Sequence, residues 1–225
     1  TKDHRAWMAD VASWKQAYPL RQVSPSQDGV TPQEVLETLN RLTGSQAIIA
    51  TEVGQHQMWA AQFYTYCTPR QFISSGGLGT MGFGLGAAIG AQVANPGKRV
   101  VNIAGDGSFH MNCNELSTLA ANQIPVIELV FNNTVLGMVR QWQKLFYENR
   151  FSQTDLDHTT DFPLLAKAFG VKALVIEKKA DIEPVLREAL AGGVPVLIDC
   201  RIDRDLNVLP MVPAGESVEN PILEM

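Results

Sequence analysis

Basic charge, cysteine pairs, metal-ligand spacings and long apolar runs are all scarce or missing in this sequence, and each absence removes a class of function. The formal net charge is −5, which argues against nucleic acid as the main partner, because phosphate contacts want a basic surface. No apolar stretch is long enough to span a bilayer. The three cysteines, Cys67, Cys113 and Cys200, are far apart and form no CxxC pair, which fits a reducing compartment and buried thiols better than a disulfide framework. The four histidines show no HExxH or comparable spacing, so zinc chemistry is not indicated. There are no internal repeats. The first twenty residues lack the basic-then-apolar order of a signal peptide.

What is present is a chain of 225 residues, 45% of them hydrophobic, enough for one large domain with appended segments. The opening TKDHRAWMADVASWKQAYPL reads as an amphipathic helix with Trp7, Val11 and Trp14 near one face. It has no clear start signal, as if cut from a longer chain. Residues 1–24 are expected to be that helix and a linker, 25–209 the main domain, and 210–225 an extended arm. Within the main domain, Thr31-Pro32 opens a helix as cap and first helical residue. Short apolar runs at 47–51, 99–104, 125–131, near 174 and near 196 read as buried strands alternating with helices. This predicts an α/β fold with a parallel sheet covered by helices on both faces.

The informative stretch is GDGSFHMNCNELSTLAANQIPVIELVFNN, residues 105–133. In a right-handed strand-helix-strand unit both strands end on one edge of the sheet. The helix expected over about 110–122 is the crossover, so Asp106 and the amides Asn132-Asn133 share a rim. A parallel strand at 47–51 would bring Glu52-Val53-Gly54-Gln55-His56 to the same rim, where ligands of open parallel sheets bind. One carboxylate plus one amide oxygen suits Mg²⁺, which takes its other ligands from phosphate and water. Gly107 and Ser108 lead into a helix start, where free amides attract an anion. A metal-bridged diphosphate meets both demands. Each motif alone also reads as a tight turn with a cap; their joint placement either side of one crossover favours a site. His4, His110 and His158 read as caps or core histidines, whereas His56 is a site candidate.

Gly77-Leu78-Gly79-Thr80-Met81-Gly82 fits the GxGxxG dinucleotide fingerprint, with a possible short strand, QFIS, before it. That fingerprint wants an acid near the end of the next strand to hold a ribose. The strand at 99–104 has none, and the acid beyond it is enclosed by glycines, so an NAD-binding domain is the weaker alternative.

GDG, a spacer of this length and NN form the signature of thiamine diphosphate (ThDP) enzymes. The stretches GQHQMWAAQ, SGGLGTMGFGLGAAIGAQ, NNTVLGMVRQWQ and LPMVPAGES resemble the large catalytic subunit of acetohydroxyacid (acetolactate) synthase, from about residue 47 to the tail. The resemblance implies that Asp106 and the Asn133 side chain ligate Mg²⁺ together with the backbone carbonyl of Val135. It implies that Gly105, Gly107 and Ser108 hold one side of the diphosphate, with Val53, Gln55 and His56 approaching from the other strand end. Gly79 and Met81 would face the cofactor's rings, with Gly137 and Met138 nearby. Val139, Trp142 and Phe146 would line the channel to the cofactor, where herbicide inhibitors bind in the family. On residues alone, the stripe of Met138, Trp142, Leu145 and Phe146 reads as core packing, and Cys113 as a buried hydrophobe in a helix. One departure is Gly86, where the family usually shows proline.

The activity so implied is decarboxylation of pyruvate and condensation of the two-carbon unit with a second 2-keto acid, in branched-chain amino-acid biosynthesis. The family's catalytic glutamate lies on a separate N-terminal domain supplied across a dimer interface, and its FAD is held mainly by a middle domain. Nothing here resembles the first, or most of the second, so no catalytic residue is assigned and the chain alone is expected to be inactive. The implied assembly is a homodimer or tetramer with a possible regulatory small subunit, cytoplasmic in a bacterium or organellar in a eukaryote. Another ThDP enzyme, of glyoxylate carboligase or pyruvate oxidase type, and a catalytically silent interaction module are the remaining alternatives.

Overall fold

The computed structural model describes residues 3–21, 27–156 and 160–223, in two compact units: Ser24–Val208, and Thr1–Val23 with Leu209–Met225. The boundary expected after residue 24 and the reading of His158 lie outside the described residues.

In the larger unit, buried apolar runs become six strands: β1 (Ile48–Thr51), β2 (Phe72–Ser74), β3 (Val100–Gly105), β4 (Ile127–Asn132), β5 (Lys172–Ile176) and β6 (Val196–Arg201). They form one sheet in the order β2-β1-β3-β4-β6-β5, and every pairing is parallel. The expected parallel α/β sheet is therefore the observed one.

Side chains alternate faces along a strand, and both faces are apolar here. Ile127, Leu129 and Phe131 of β4 point into one core with Leu36, Trp59 and Leu186. Val126 and Val130 enter the other with Leu85, Leu119 and Phe162. The first face is covered by α2 (Pro32–Thr43), α3 (Gln55–Phe63) and α9 (Lys179–Ala191). The second is covered by α4 (Gly84–Ala94), α6 (Leu116–Asn122) and α8 (Phe162–Ala168). Burial on both faces is why the strands read as continuous apolar runs rather than alternating ones. The helix α2 starts as its sequence predicts. The Thr31 hydroxyl accepts from Glu34 N at 3.2 Å, and the Glu34 carboxylate accepts from Thr31 N in return, a capping box that satisfies two otherwise unpaired amides.

The crossover between β3 and β4 is not the single helix expected over 110–122. It is a one-turn helix, α5 (Asp106–Phe109), then a 3₁₀ turn at Cys113–Glu115, then α6. Asn112 leaves the helical region at φ −142°, and its amide donates to Gly82 O at 3.2 Å. An asparagine that bonds elsewhere competes with helix continuation. Cys113 consequently sits half-buried in the 3₁₀ turn, not inside a helix. The last helix of the site region, α7 (Gly137–Phe146), follows β4.

In the smaller unit, α1 (Arg5–Ala17) has Trp7 and Trp14 packed edge to face at 5.4 Å, both exposed. The C-terminal segment, expected as an extended arm, carries one local bridge. It closes on itself through reciprocal backbone bonds between Met211 and Ile222 at 2.8 and 3.0 Å.

Candidate functional site

Three parallel strands end on the carboxyl edge of the sheet, stepped by one to two residues from one strand to the next, with Thr51 opposite Ile103 and Gly105 opposite Phe131. Each leads at once into a turn or helix. Past β1 come Val53, Gly54 and the start of α3 at Gln55; past β3, Asp106 begins α5; past β4, Asn133 leads to α7. These segments surround a cavity of about 100 Å³.

The β1 end contributes Val53, Gln55 and His56 to its lining, and the β3 end contributes Gly105, Asp106, Gly107 and Ser108. The third segment supplies Asn133, Val135, Gly137, Met138 and Val139, and the glycine-rich loop supplies Met81. Residues separated by more than eighty positions are thus brought together.

Gly79 does not line the cavity. It has φ +72°, and a Cβ on it would lie 3.9 Å from Val53 Cγ1, one residue behind the wall. Trp142 lies in a second, larger cavity of about 800 Å³ that shares Met138 and Val139 with the first. Phe146 lines neither, but packs edge to face on Trp142 at 5.4 Å. Of the α7 stripe read as core packing, Met138 and Leu145 are half-buried, but Trp142 and Phe146 are 39% and 41% exposed, so the stripe is not buried as a core face.

The two amides at the end of β4 part company. The Asn132 amide donates to Asp199 on β6 at 2.9 Å, so only Asn133 faces the cavity. Asn133 Oδ1 accepts from Val135 N at 3.2 Å, which orients that oxygen and leaves its second lone pair. Asp106, Ser108 and Asn133 are all buried. The chemistry on offer is one carboxylate, one amide oxygen and main-chain oxygens. Among the described residues no group of three or more His, Cys, Asp or Glu gathers that could hold a metal without further ligands.

On the β1 side the polar atoms are poised and incompletely satisfied. Gln55 Nε2 donates to Gln141 Oε1 at 2.9 Å and to Leu206 O at 3.0 Å, while Gln55 Oε1 is buried without a partner. His56 Nε2 and Trp59 Nε1, also in residues lining the cavity, are likewise buried without partners. Three orphaned polar atoms round one cavity contrast with the near-complete pairing usual in protein interiors and fit a polar ligand. Burial pushes the His56 pKa down to about 3, against a backbone hydrogen bond with Glu52 that raises it, so the ring is neutral at physiological pH. It fits there because Gly54, at φ +153°, carries no side chain; a Cβ would lie 2.7 Å from His56 Cε1.

Sequence reasoning put Gly54 on the rim without naming it as a site residue, and missed Trp59, Phe131 and Leu136 in the lining. Trp59 could have been found, being one helical turn after Gln55 on α3; the others had no signal distinguishing them from core or turn residues. The dinucleotide reading of residues 77–82 gains nothing: Gly105 ends β3, and Asp106 is the first residue of α5, not an acid ending a strand.

The family model for the thiamine pyrophosphate enzymes' C-terminal TPP binding domain matches residues 52–200. The chain is 44% identical over 222 residues, 97% of its length, to the mitochondrial acetolactate synthase catalytic subunit of Saccharomyces cerevisiae, of which it covers 32%. It is 48% identical over 213 residues, 94% of its length, to the acetolactate synthase large subunit of Parasynechococcus marenigrum, covering 34%. It is 42% identical over 231 residues, 100% of its length, to the chloroplastic acetolactate synthase 1 of Oryza sativa, covering 36%. The chain thus spans about a third of the length of these curated relatives.

Proposed function

Since this chain belongs to the thiamine pyrophosphate enzymes, through their C-terminal TPP-binding domain, we propose that its carboxyl-edge cavity is the diphosphate- and Mg²⁺-holding half of an acetolactate synthase active site. The observation that carries this is the meeting of Asp106 and Asn133 with the unpartnered Gln55 and His56 atoms round one cavity. Asp106, Asn133 Oδ1 and the Val135 carbonyl would hold Mg²⁺. Gly105, Gly107 and Ser108 would hold one side of the diphosphate, with Gln55 and the neutral His56 on the other. Val53 would flank the diphosphate beside Gln55 and His56, and Met81, Gly137 and Met138 would bound the cofactor's rings, with Gly79 behind Val53. ThDP, when bound, supplies a thiazolium that accepts the electron pair released when a 2-keto acid loses CO₂. The apolar wall of Met81, Met138 and Val139 would keep water from that centre.

For the whole protein we propose pyruvate and a second 2-keto acid as substrates, FAD held mainly outside this chain, and a homodimer or tetramer that adds the missing catalytic glutamate, with a possible regulatory subunit. Val139, Trp142 and Phe146 would form the approach to the cofactor. The compartment would follow the source organism, cytoplasm in a bacterium and organelle in a eukaryote; no helix among the described residues is long and apolar enough to cross a membrane. The chain by itself is expected to make no acetolactate.

Thermal unfolding tests the cavity. ThDP with Mg²⁺ at about 100 times its Kd stabilises by about 2.7 kcal/mol, roughly 5–10 °C at this size. Chelation or Asp106→Ala should abolish the shift. A shift with NAD⁺ alone would overturn the reading.

A further inference from the structure

Glu52, the residue after β1, is fully buried, yet it neither lines the cavity nor pairs with a cation. Its carboxylate is spent on the glycine-rich loop instead. Glu52 Oε2 accepts from Gly82 N at 2.6 Å and Oε1 from Leu85 N at 3.1 Å. The α4 helix that begins there has no cap from its own side chain, Phe83 being the N-cap residue, so a carboxylate from the neighbouring strand takes that place. Contact is also direct: a Cβ on Gly84 would lie 2.6 Å from Glu52 N and 2.7 Å from the Thr51 carbonyl carbon. The first turn of α4 therefore lies flat on the end of β1.

The other side of the loop is tied too. Ser75 O accepts from Gly79 N at 3.0 Å, and Ser75 Oγ from Thr80 N at 3.1 Å. Gly82 O accepts from Asn112 at 3.2 Å. Met81 sits between these ties, with Thr80 fixed on one side and Gly82 on the other, and its side chain lines the cavity. On the Gly82 side the carboxylate contact is the shortest of these bonds; burial raises the Glu52 pKa, and the Leu85 and Gly82 amides that it accepts from oppose that shift.

We infer that Glu52 is a positioning residue for the ligand: by gripping the amides of Gly82 and Leu85 it holds Met81 at the wall of the cavity. This rests on the ThDP reading of the cavity. Glu52 touches no ligand in this scheme; it acts through the loop. A carboxylate suits the task because it offers two acceptor oxygens and no donor, whereas a glutamine would turn an N–H toward one of the two amides.

The test uses the full-length enzyme and the isosteric Glu52→Gln, read by hydrogen exchange of the ligand-free protein and by direct ThDP binding with Mg²⁺. The expected result is faster exchange confined to residues 79–85 and at least tenfold weaker ThDP binding. In addition, Met81→Ala should weaken binding in wild type but change it by less than about twofold in the Glu52→Gln background, since residues that act through one contact are not additive. Unchanged exchange in that segment, or additive losses, would overturn the inference and leave Glu52 as a helix cap only. If the glutamine variant does not fold, Glu52→Asp, which keeps the charge but shortens the reach, is read by the same criteria. Wild-type protein that fails to bind ThDP would instead overturn the reading of the cavity; the exchange result would then still report on the grip itself.

Discussion

Gly137 and Gln55 meet at the cavity wall with no room between them: a Cβ on residue 137 would lie 2.0 Å from Gln55 Oε1. The far end of a glutamine could ordinarily swing aside. This one is held by its donations to Gln141 Oε1 and Leu206 O, so moving it breaks buried hydrogen bonds. The same Cβ would lie 2.9 Å from Asn133 Nδ2. Gly137→Ala should therefore destabilise by about 1–3 kcal/mol and displace two residues of the proposed ligand site. Urea denaturation checks the first effect and ThDP titration the second; an unchanged midpoint would contradict the packing.

His56 gives a pH dependence with a definite sign. Its folded pKa is about 3 against an ordinary value of 6.5, so between those values the unfolded chain holds a proton that the folded chain does not. Stability then falls as pH drops below about 6.5, by at most about 1.4 kcal/mol per pH unit from this group. His56→Gln should flatten that part of the profile between pH 7 and pH 5. Denaturation midpoints at both values would show it; equal slopes in both proteins would refute it.

Glu128 should behave in the opposite sense. It is buried on β4 with both carboxylate oxygens accepting from Asn102 Nδ2, at 2.9 and 3.0 Å. Burial pushes its carboxyl well above the ordinary range, outweighing those hydrogen bonds, and the Glu52 charge pushes it the same way. The folded chain thus holds a proton that the unfolded chain has released, and stability falls as pH rises above about 4.5. Glu128→Gln keeps an acceptor for Asn102 without the charge. It should gain on wild type between pH 5 and pH 8, as measured by urea midpoints; no relative gain would refute the account.

Two tryptophans separate the core from the proposed channel. Trp59 is 1% exposed and packs edge to face on Phe131 at 6.1 Å, so Trp59→Ala should cost about 3–5 kcal/mol. Trp142 is 39% exposed, and Trp142→Ala should cost less than about 1 kcal/mol. Comparable losses in thermal or chemical denaturation would mean that the second cavity closes in solution.

Much of the fold could be read in advance because the signals were local. Doubly buried strands show as short β-branched runs, and Thr31-Pro32-Gln33-Glu34 spells a helix start within four residues. The crossover after β3 was misread for the opposite reason. What interrupts it is the bond from Asn112 to Gly82 O, thirty residues away, and no local pattern announces a long-range competitor. The same applies to Asn132 and Asn133. As neighbours of one type they look like a pair, but strand alternation sends the first to Asp199 and leaves the second at the cavity.

By itself the sequence determined the parallel sheet, the rim on which Asp106, Asn133 and His56 gather, and the family resemblance, because period, turn chemistry and motif spacing are properties of the chain. Only the tertiary structure decided which rim residues face the cavity, that Trp142 is exposed, and that Glu52 serves the glycine-rich loop. Those outcomes depend on distances of a few ångströms between segments far apart in the chain, and such distances exist only once the sheet has set its strands in register.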